Sequence, residues 1–373
     1  MAAAFLWAAA ALLAYTYFGY PALVGFCARL GARRRAAAAD PAEAPFVSAV
    51  LPVWNGAALL PAKIDSLLAQ DHPADRFEIL VYCDGCSDDS EAVARELAAA
   101  PAARGRIRVF ADAARHGKPT ALNRLFPEAR GELVLMGDVR QPLSPNAMRT
   151  LAAAMADPDV GCATGRLVLT GGEGSGVYWR YEEWIRWQES RFRGVVGMTG
   201  AIAMMRRRDF APLPAGVILD DVWMPMRLVL ERKRVVVVRE AEARDAAFAD
   251  EREFGRKVRT LAGNFQLFAF LPALLLPWRN PIWLETFSHK VLRLVAPWLM
   301  LALAAASGAA TFGGAAGLGA RGLFWAQAAF YLAALVGARG GRLAGVARTF
   351  VVLNAAAVVG LWRHLTGRQR ITW

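Results

Sequence analysis

The apolar residues of this chain are gathered at its two ends, and that distribution limits what it can fold into. Between Ala2 and Leu30 the one charged residue is Arg29. A helix of that length crosses a hydrocarbon core of roughly 30 Å. A cleaved secretory signal is the other reading of such a stretch. It is disfavoured by the missing basic start, the length of the apolar run and the Arg33-Arg34-Arg35 that follows it. Those arginines place the next segment on the cytosolic side. Near the other end, three runs at Val291–Phe312, Gly322–Ala338 and Leu343–Leu361 read as further membrane helices. Arg339 and Arg342 suit a cytosolic loop, which leaves the basic tail from Arg363 on the outer face, against the positive-inside tendency. Phe265–Trp278 is apolar but short and holds two prolines, so it reads as a segment lying in the interface. The expected organisation is therefore a membrane helix at 1–30, an Ala/Pro-rich linker at 36–45, a globular domain at 46–264, an interfacial segment at 265–285 and membrane helices within 291–361.

Charge narrows the choice of partner. The chain has 373 residues, 56 % of them hydrophobic, and a formal net charge of +12. Many of its arginines flank the apolar runs, among them Arg29, Arg33, Arg342, Arg363 and Arg368, which points to an anionic membrane surface. There is no helix-turn-helix, zinc-finger or RNA-recognition signature, so nucleic acid is not an expected partner. The centres of the apolar runs hold few charges, which disfavours a transporter. Four cysteines offer no disulfide framework, and Cys83-Asp84-Gly85-Cys86 reads as small residues in a tight loop of a cytosolic domain.

The middle of the chain alternates short apolar runs with amphipathic stretches. Strands are expected at Phe46–Val53, Phe77–Tyr82, Ile107–Ala111, Leu133–Gly137 and Val235–Val238. Helices are expected from Leu59 to Leu68, after a cap at Ser87-Asp88-Asp89-Ser90 to about Ala99, over Pro119–Phe126 and, rich in Trp, Arg and Glu, over Val177–Phe192. Strand–helix alternation predicts an α/β, Rossmann-like parallel sheet covered on both faces. Ligands of such sheets bind beyond the carboxyl ends of the strands, which singles out Asn55, Asp84 and Asp138.

Several residues near those ends carry chemistry. Asp84-Gly85 can accept hydrogen bonds from a base or ribose while the glycine turns the backbone away, although Asp-Gly is also a common turn. Gly117-Lys118 at a helix start sets a cation beside free backbone N–H groups, an arrangement suited to an anion. Asp138 can hold a divalent cation against a diphosphate. Asp220-Asp221, set among apolar neighbours, suits a general base because like charge and burial raise a carboxyl pKa. Arg256 and Arg259 recur at helical spacing and can meet phosphate or the membrane surface.

Taken in order, from about Phe46 to Gln266, these motifs resemble the membrane-bound bacterial members of the family 2 glycosyltransferases, which have a GT-A fold. The resemblance implies an inverting transfer of a sugar from a nucleotide-diphosphate donor to a lipid-linked or glycan acceptor. It implies that Asp84 binds the nucleotide, with Asn55 and Gly85 in the same loops and Lys118 in the nucleotide pocket. Asp138 matches the first acid of the family's Asp-x-Asp motif and implies Mg2+ or Mn2+. Asp221 matches the acid that deprotonates the acceptor hydroxyl, with Asp220 beside it. Gly200 falls where the family shapes the acceptor end, and Arg256 and Arg259 fall where it has Gln-x-x-Arg-Trp.

The departures matter as much. The second acid of the metal motif is Arg140, whose guanidinium can itself hold phosphate. Thr260 stands in place of the tryptophan that positions the acceptor in processive members, which favours transfer of one or a few sugars. The alternatives are a processive exopolysaccharide synthase and a catalytically inactive membrane protein that binds nucleotide sugars. The expected location is the inner (plasma) membrane, crossed several times, with the globular domain in the cytosol.

Overall fold

A computed structural model describes residues 2–31, 44–170, 176–246, 250–314 and 317–369. Arg33-Arg34-Arg35 and most of the linker lie outside the described residues. The globular part is built on one seven-stranded sheet in the order β3-β2-β1-β4-β6-β5-β7. Strand β1 is Val47–Val53, β2 Phe77–Asp84, β3 Ile107–Asp112, β4 Leu133–Gly137, β5 Val160–Thr170, β6 Ile202–Arg206 and β7 Arg234–Ala246. The first four strands run parallel, and β6 lies antiparallel between β4 and β5. The sheet is therefore mixed, as in a GT-A fold, and not the wholly parallel sheet that strand–helix alternation predicts, because β6 runs against both neighbours.

Strands β1 and β2 are buried along their whole length, which explains why their sequences are near-continuous apolar runs. Their side chains still alternate between two layers. Val47, Ala49, Leu51 and Val53 pack with Leu60, Ile64 and Leu67 of helix α3 (Leu60–Leu68) and with Met148 and Leu151 of α6 (Ala147–Met155). Val50 and Leu80 pack on the other face with Leu122, Leu125 and Phe126 of α5 (Lys118–Glu128) and with Met226 and Leu228 of α8 (Asp220–Leu230). Between α3 and α5 lies α4 (Ser90–Ala99); after α6 comes α7 (Gly176–Phe192).

Two expectations need correction here. The last strand is far longer than Val235–Val238, because its second half holds Arg239, Glu240, Glu242, Arg244 and Asp245, a composition that conceals a strand. That half is held by β5, where Arg166 Nη2 donates to Glu242 Oε1 at 2.6 Å. The stretch 265–285, expected to lie in the interface, is not a separate element from its start, since residues 265–270 complete helix α9 (Asp250–Phe270). Gln266 docks α9 on the sheet domain by accepting from Ile218 N at 2.9 Å and donating to Gly216 O at 2.8 Å. Beyond it, Leu275, Leu276 and Trp278 are exposed apolar side chains.

At the chain ends, α1 (Ala2–Ala14) and α2 (Tyr20–Leu30) are joined by a π-helical turn at Tyr15–Gly19. The short α10 (Trp283–Glu285) leads through a second π-helical turn, Thr286–Val291, into α11 (Leu292–Phe312). Helices α12 (Leu318–Val336) and α13 (Arg342–Leu365) follow. Among the described residues three helical stretches are long and apolar enough to span a membrane: Ala4–Leu30, Trp283–Phe312 and Arg342–Leu365. Helix α12, interrupted by Arg321 and Gln327, is not one of them. Gly360, near the end of α13, packs against Val258, Leu261 and Ala262 of α9. The chain after Arg363 therefore begins beside α9.

Candidate functional site

The antiparallel strand β6 builds the site. Gly137 at the end of β4 pairs with Ile202 at the start of β6, so the loop Thr199-Gly200-Ala201 arrives next to Asp138. Thr164 fixes that loop: its Oγ1 accepts from Thr199 N at 2.8 Å and donates to Ile202 O at 3.0 Å. Met198 N donates to Asp221 O at 2.8 Å, which ties the same loop to the first turn of α8. A Cβ on Gly200 would lie 3.4 Å from Asp221 Oδ2, so a small residue there leaves the carboxylate room.

These contacts gather distant acids at one cavity of about 540 Å³. Lys118, Asp138, Arg140, Gly200, Asp220, Asp221, Arg256 and Arg259 all line it. Lys118 Nζ stands 2.6 Å from Asp138 Oδ1 and 3.6 Å from Asp220 Oδ2. Burial opposes its charge, but Asp138 and then Asp220 outweigh burial and keep the ammonium protonated above the usual lysine range. Asp221 goes the other way: burial, then the neighbouring Asp220, push its carboxyl up to about 6. That is a base poised near neutral pH. Arg259 Nη2 donates to Ile218 O at 3.1 Å, which holds α9 against the approach to α8.

The residue replacing the second acid of the metal motif is paired. Arg140 Nη2 lies 2.8 Å from Asp245 Oδ2, an oxygen that also accepts from Gln141 Nε2 at 2.7 Å. Asp245 comes from the polar half of β7 that the sequence concealed. Among the described residues no group of three or more His, Cys, Asp or Glu side chains could hold a metal. The donor set still fits a cation brought in by a substrate. Asp138 and Asp220, whose buried Oδ2 accepts no hydrogen bond, flank a position held here by an ammonium. Mg2+ is commonly held by one or two carboxylates with substrate phosphates completing the shell.

Asn55, Asp84 and Gly85 stand apart from this cavity. Asp84 is fully buried, and its two oxygens accept from His116 N at 2.8 Å and Gly117 N at 2.7 Å. Its carboxylate organises the loop that delivers Lys118 and is not a wall of the cavity. Gly85 has φ +59°, and a Cβ there would meet Arg115 N at 2.4 Å. Asn55 Oδ1 accepts from Ser87 N at 2.8 Å, joining the loops after β1 and β2. Beside them Arg115 lies over the Trp54 ring at 3.4 Å.

Other residues in and behind the wall escaped the motif reading. Lys63 on α3 is fully buried and donates to Gln141 O at 2.7 Å, bracing the turn after Asp138. Burial, countered by Asp138, brings its ammonium down to about 7. Nothing local marks it, because a lysine on an amphipathic helix normally reads as exposed. Tyr178, Glu182 and Arg186 of α7 and His289, Lys290 and Arg293 of the following span also line the cavity. The one signal for them was the density of charges at the start of an apolar run.

Comparison with known proteins agrees with this fold. Residues 48–213 match the family described as Glycosyl transferase family 2. Similar curated proteins include the glycosyltransferase AglD of Haloferax volcanii, 33 % identical over 135 residues, which are 35 % of this chain and 21 % of that protein. An N-acetylglucosaminyltransferase of Rhizobium meliloti is 30 % identical over 192 residues, 48 % of this chain and 44 % of its own length. The chain thus spans less than half the length of either relative. The solved structure of the mannosyltransferase PcManGT from Pyrobaculum calidifontis, in complex with GDP-Man and Mn2+, superposes with a TM-score of 0.74 at 24 % identity. It covers 97 % of this chain and 99 % of that one, so the fold is shared along almost the whole length.

Proposed function

Because residues 48–213 form a family 2 glycosyltransferase domain on a GT-A fold, we propose that the protein moves a sugar from a nucleotide-diphosphate donor to a membrane-associated acceptor with inversion at the anomeric carbon. The observation that carries this reading is the convergence of the Asp220–Asp221 pair on the cavity that holds the Lys118–Asp138 pair, where burial and the neighbouring acid raise the Asp221 carboxyl. Asp221 takes the proton from an acceptor hydroxyl, and the hydroxyl oxygen attacks the anomeric carbon opposite the departing diphosphate. Such a base contributes about 10²–10⁴ in rate. Lys118 exchanges part of its pairing with Asp138 for the oxygens of the leaving group, a kind of contact whose loss costs roughly 10²–10³. Asp138 would hold Mg2+ or Mn2+, which would neutralise charge on the leaving diphosphate.

Asp84, Gly85 and Asn55 shape the loop that offers Lys118, so their part in donor binding is indirect. Thr260 on the wall supports release after one or a few transfers, since position 260 carries no aromatic ring to hold a growing chain. The three candidate spans and the basic residues at their ends support a multi-pass protein of the plasma membrane with this domain in the cytosol. The test is a donor screen for nucleoside diphosphate release by the full chain in detergent, with Mg2+ or Mn2+. Asp221→Asn should cut release at least about 100-fold while nucleotide binding persists. Loss of binding together with turnover would remove Asp221 from the role of base, and absence of release from every donor would leave a nucleotide-sugar-binding protein.

A further inference from the structure

The cavity continues past Asp221 towards the membrane helices. Arg186 links the two halves: its Nη2 donates to Gly197 O at 3.2 Å, next to the Met198 N that donates to Asp221 O. Beyond it the lining includes the cations Lys290 and Arg293 and the apolar Leu294, Phe350 and Leu353.

The depth of this inner end follows from helix length. Trp283–Phe312 has 30 residues, about 45 Å at 1.5 Å per residue, against a hydrocarbon core of roughly 30 Å. About ten residues exceed the core. The charged residues of the stretch all fall at its start, at Glu285, His289, Lys290 and Arg293, and none occurs from Leu294 to Phe312. Lys290 therefore sits at the level of lipid headgroups. The backbone there is the π-helical turn Thr286–Val291, braced on the other π-helical turn by a Tyr15 Oη–Ser288 Oγ hydrogen bond of 2.9 Å. Such turns inside helices recur at functional sites.

The charges around this turn are mostly matched. His289 lies between Glu189, at 2.7 Å, and Glu182, at 3.0 Å. Arg293 Nη1 pairs with Glu182, and Arg193 pairs with Glu285 at 2.9 Å. Lys290 makes no hydrogen bond or ion pair among the described residues, and it lines the cavity. Arg293 Nε and Nη2 are buried with no hydrogen-bond partner. Buried cationic donors left without a hydrogen-bond acceptor are costly even where carboxylates lie nearby. Positive donors left over at one wall of a cavity call for an anion inside it.

We propose that this inner end is a phosphate seat, formed by Lys290 with Arg293 and Arg186, that receives the phosphate of a lipid-borne acceptor while the acceptor hydroxyl faces Asp221. The role of Asp221 rests on the proposed glycosyl transfer; the seat rests on the cavity itself. A lipid source is favoured over a soluble phosphate ester by the headgroup depth and by the apolar wall of Leu294, Phe350 and Leu353.

The test reads binding with no donor present, so failure of glycosyl transfer does not bear on it. Radiolabelled hexadecyl phosphate is titrated onto the full chain in phosphatidylcholine nanodiscs, with hexadecanol and inorganic phosphate as competitors. Saturable binding is expected to weaken about tenfold or more in Lys290→Gln and to be largely restored in Lys290→Arg, which also checks folding. Competition by hexadecanol as strong as by unlabelled hexadecyl phosphate would overturn the seat, as would wild-type binding by Lys290→Gln or equal loss in both variants. Inorganic phosphate competing as strongly as hexadecyl phosphate would keep the anion seat and overturn the lipid source.

Discussion

At the residue scale, Asp220 and Asp221 show how one turn of helix sets a chemical task. Both acids stand in the first turn of α8, where the helix dipole favours negative charge. Burial and mutual repulsion prevail at Asp221 and raise its carboxyl to about 6. A base must be deprotonated, so kcat/KM should rise as pH increases through about 6 and level off above it. A profile flat from pH 5 to 8 would contradict this. A carboxyl whose folded pKa is raised binds its proton more tightly when folded, so its favourable contribution is present at low pH and is lost as pH rises through about 6. Asp221→Asn is accordingly expected to stabilise the fold at pH 7 by about 1–3 kcal/mol, seen as a higher Tm alongside lost turnover. Gly85 makes a complementary case. Its φ of +59° and the 2.4 Å approach of Arg115 N leave no room for a Cβ. Gly85→Ala should destabilise by about 1–3 kcal/mol and lower nucleotide affinity, read by chemical denaturation and by nucleotide titration.

At the element scale, α7 couples the sheet to the membrane helices. Its Glu182 meets both His289 and Arg293. Burial alone would raise the Glu182 carboxyl, but Arg293 and then His289 hold it well below the usual range. On the neighbouring turns, Tyr20 Oη donates to Glu189 Oε1 at 2.6 Å, and Trp184 packs on Gly25 of α2. Glu182→Gln leaves the Arg293 cation without its counter-charge, a change that typically costs about 3–5 kcal/mol. The expected outcome is a lower unfolding temperature in detergent and faster proteolysis near α7, while Glu183→Gln, at a half-exposed pair with Arg166, changes little. The sequence showed α7 as a helix rich in Trp, Arg and Glu. It did not show which glutamate faces the span, because a helix with charges on every side has no periodic apolar stripe to orient it.

At the scale of the whole molecule, the position of α13 sets which side its tail faces. Gly360 lies close to Val258, Leu261 and Ala262, so the residues after Arg363 emerge beside α9. In a cysteine-free background, single cysteines at Gly367 and at Glu128 should react with a membrane-impermeant maleimide under the same condition, in lysed but not in intact cells. Opposite accessibility would break the docking of α13 on α9. The sequence by itself determined the strand–helix alternation, the apolar ends and the order of the acidic and basic motifs. Each of these is written in local periodicity, which reports burial and backbone geometry within a few residues. Tertiary structure alone decided that Asp84 turns inward to hold the Lys118 loop, that Arg140 is answered by Asp245, and that Lys63 lies beneath Asp138. It also brought Lys290 to the chamber that holds Asp221. Those outcomes depend on contacts and charges separated by tens to hundreds of residues along the chain, and their energies are set by distance and burial after folding.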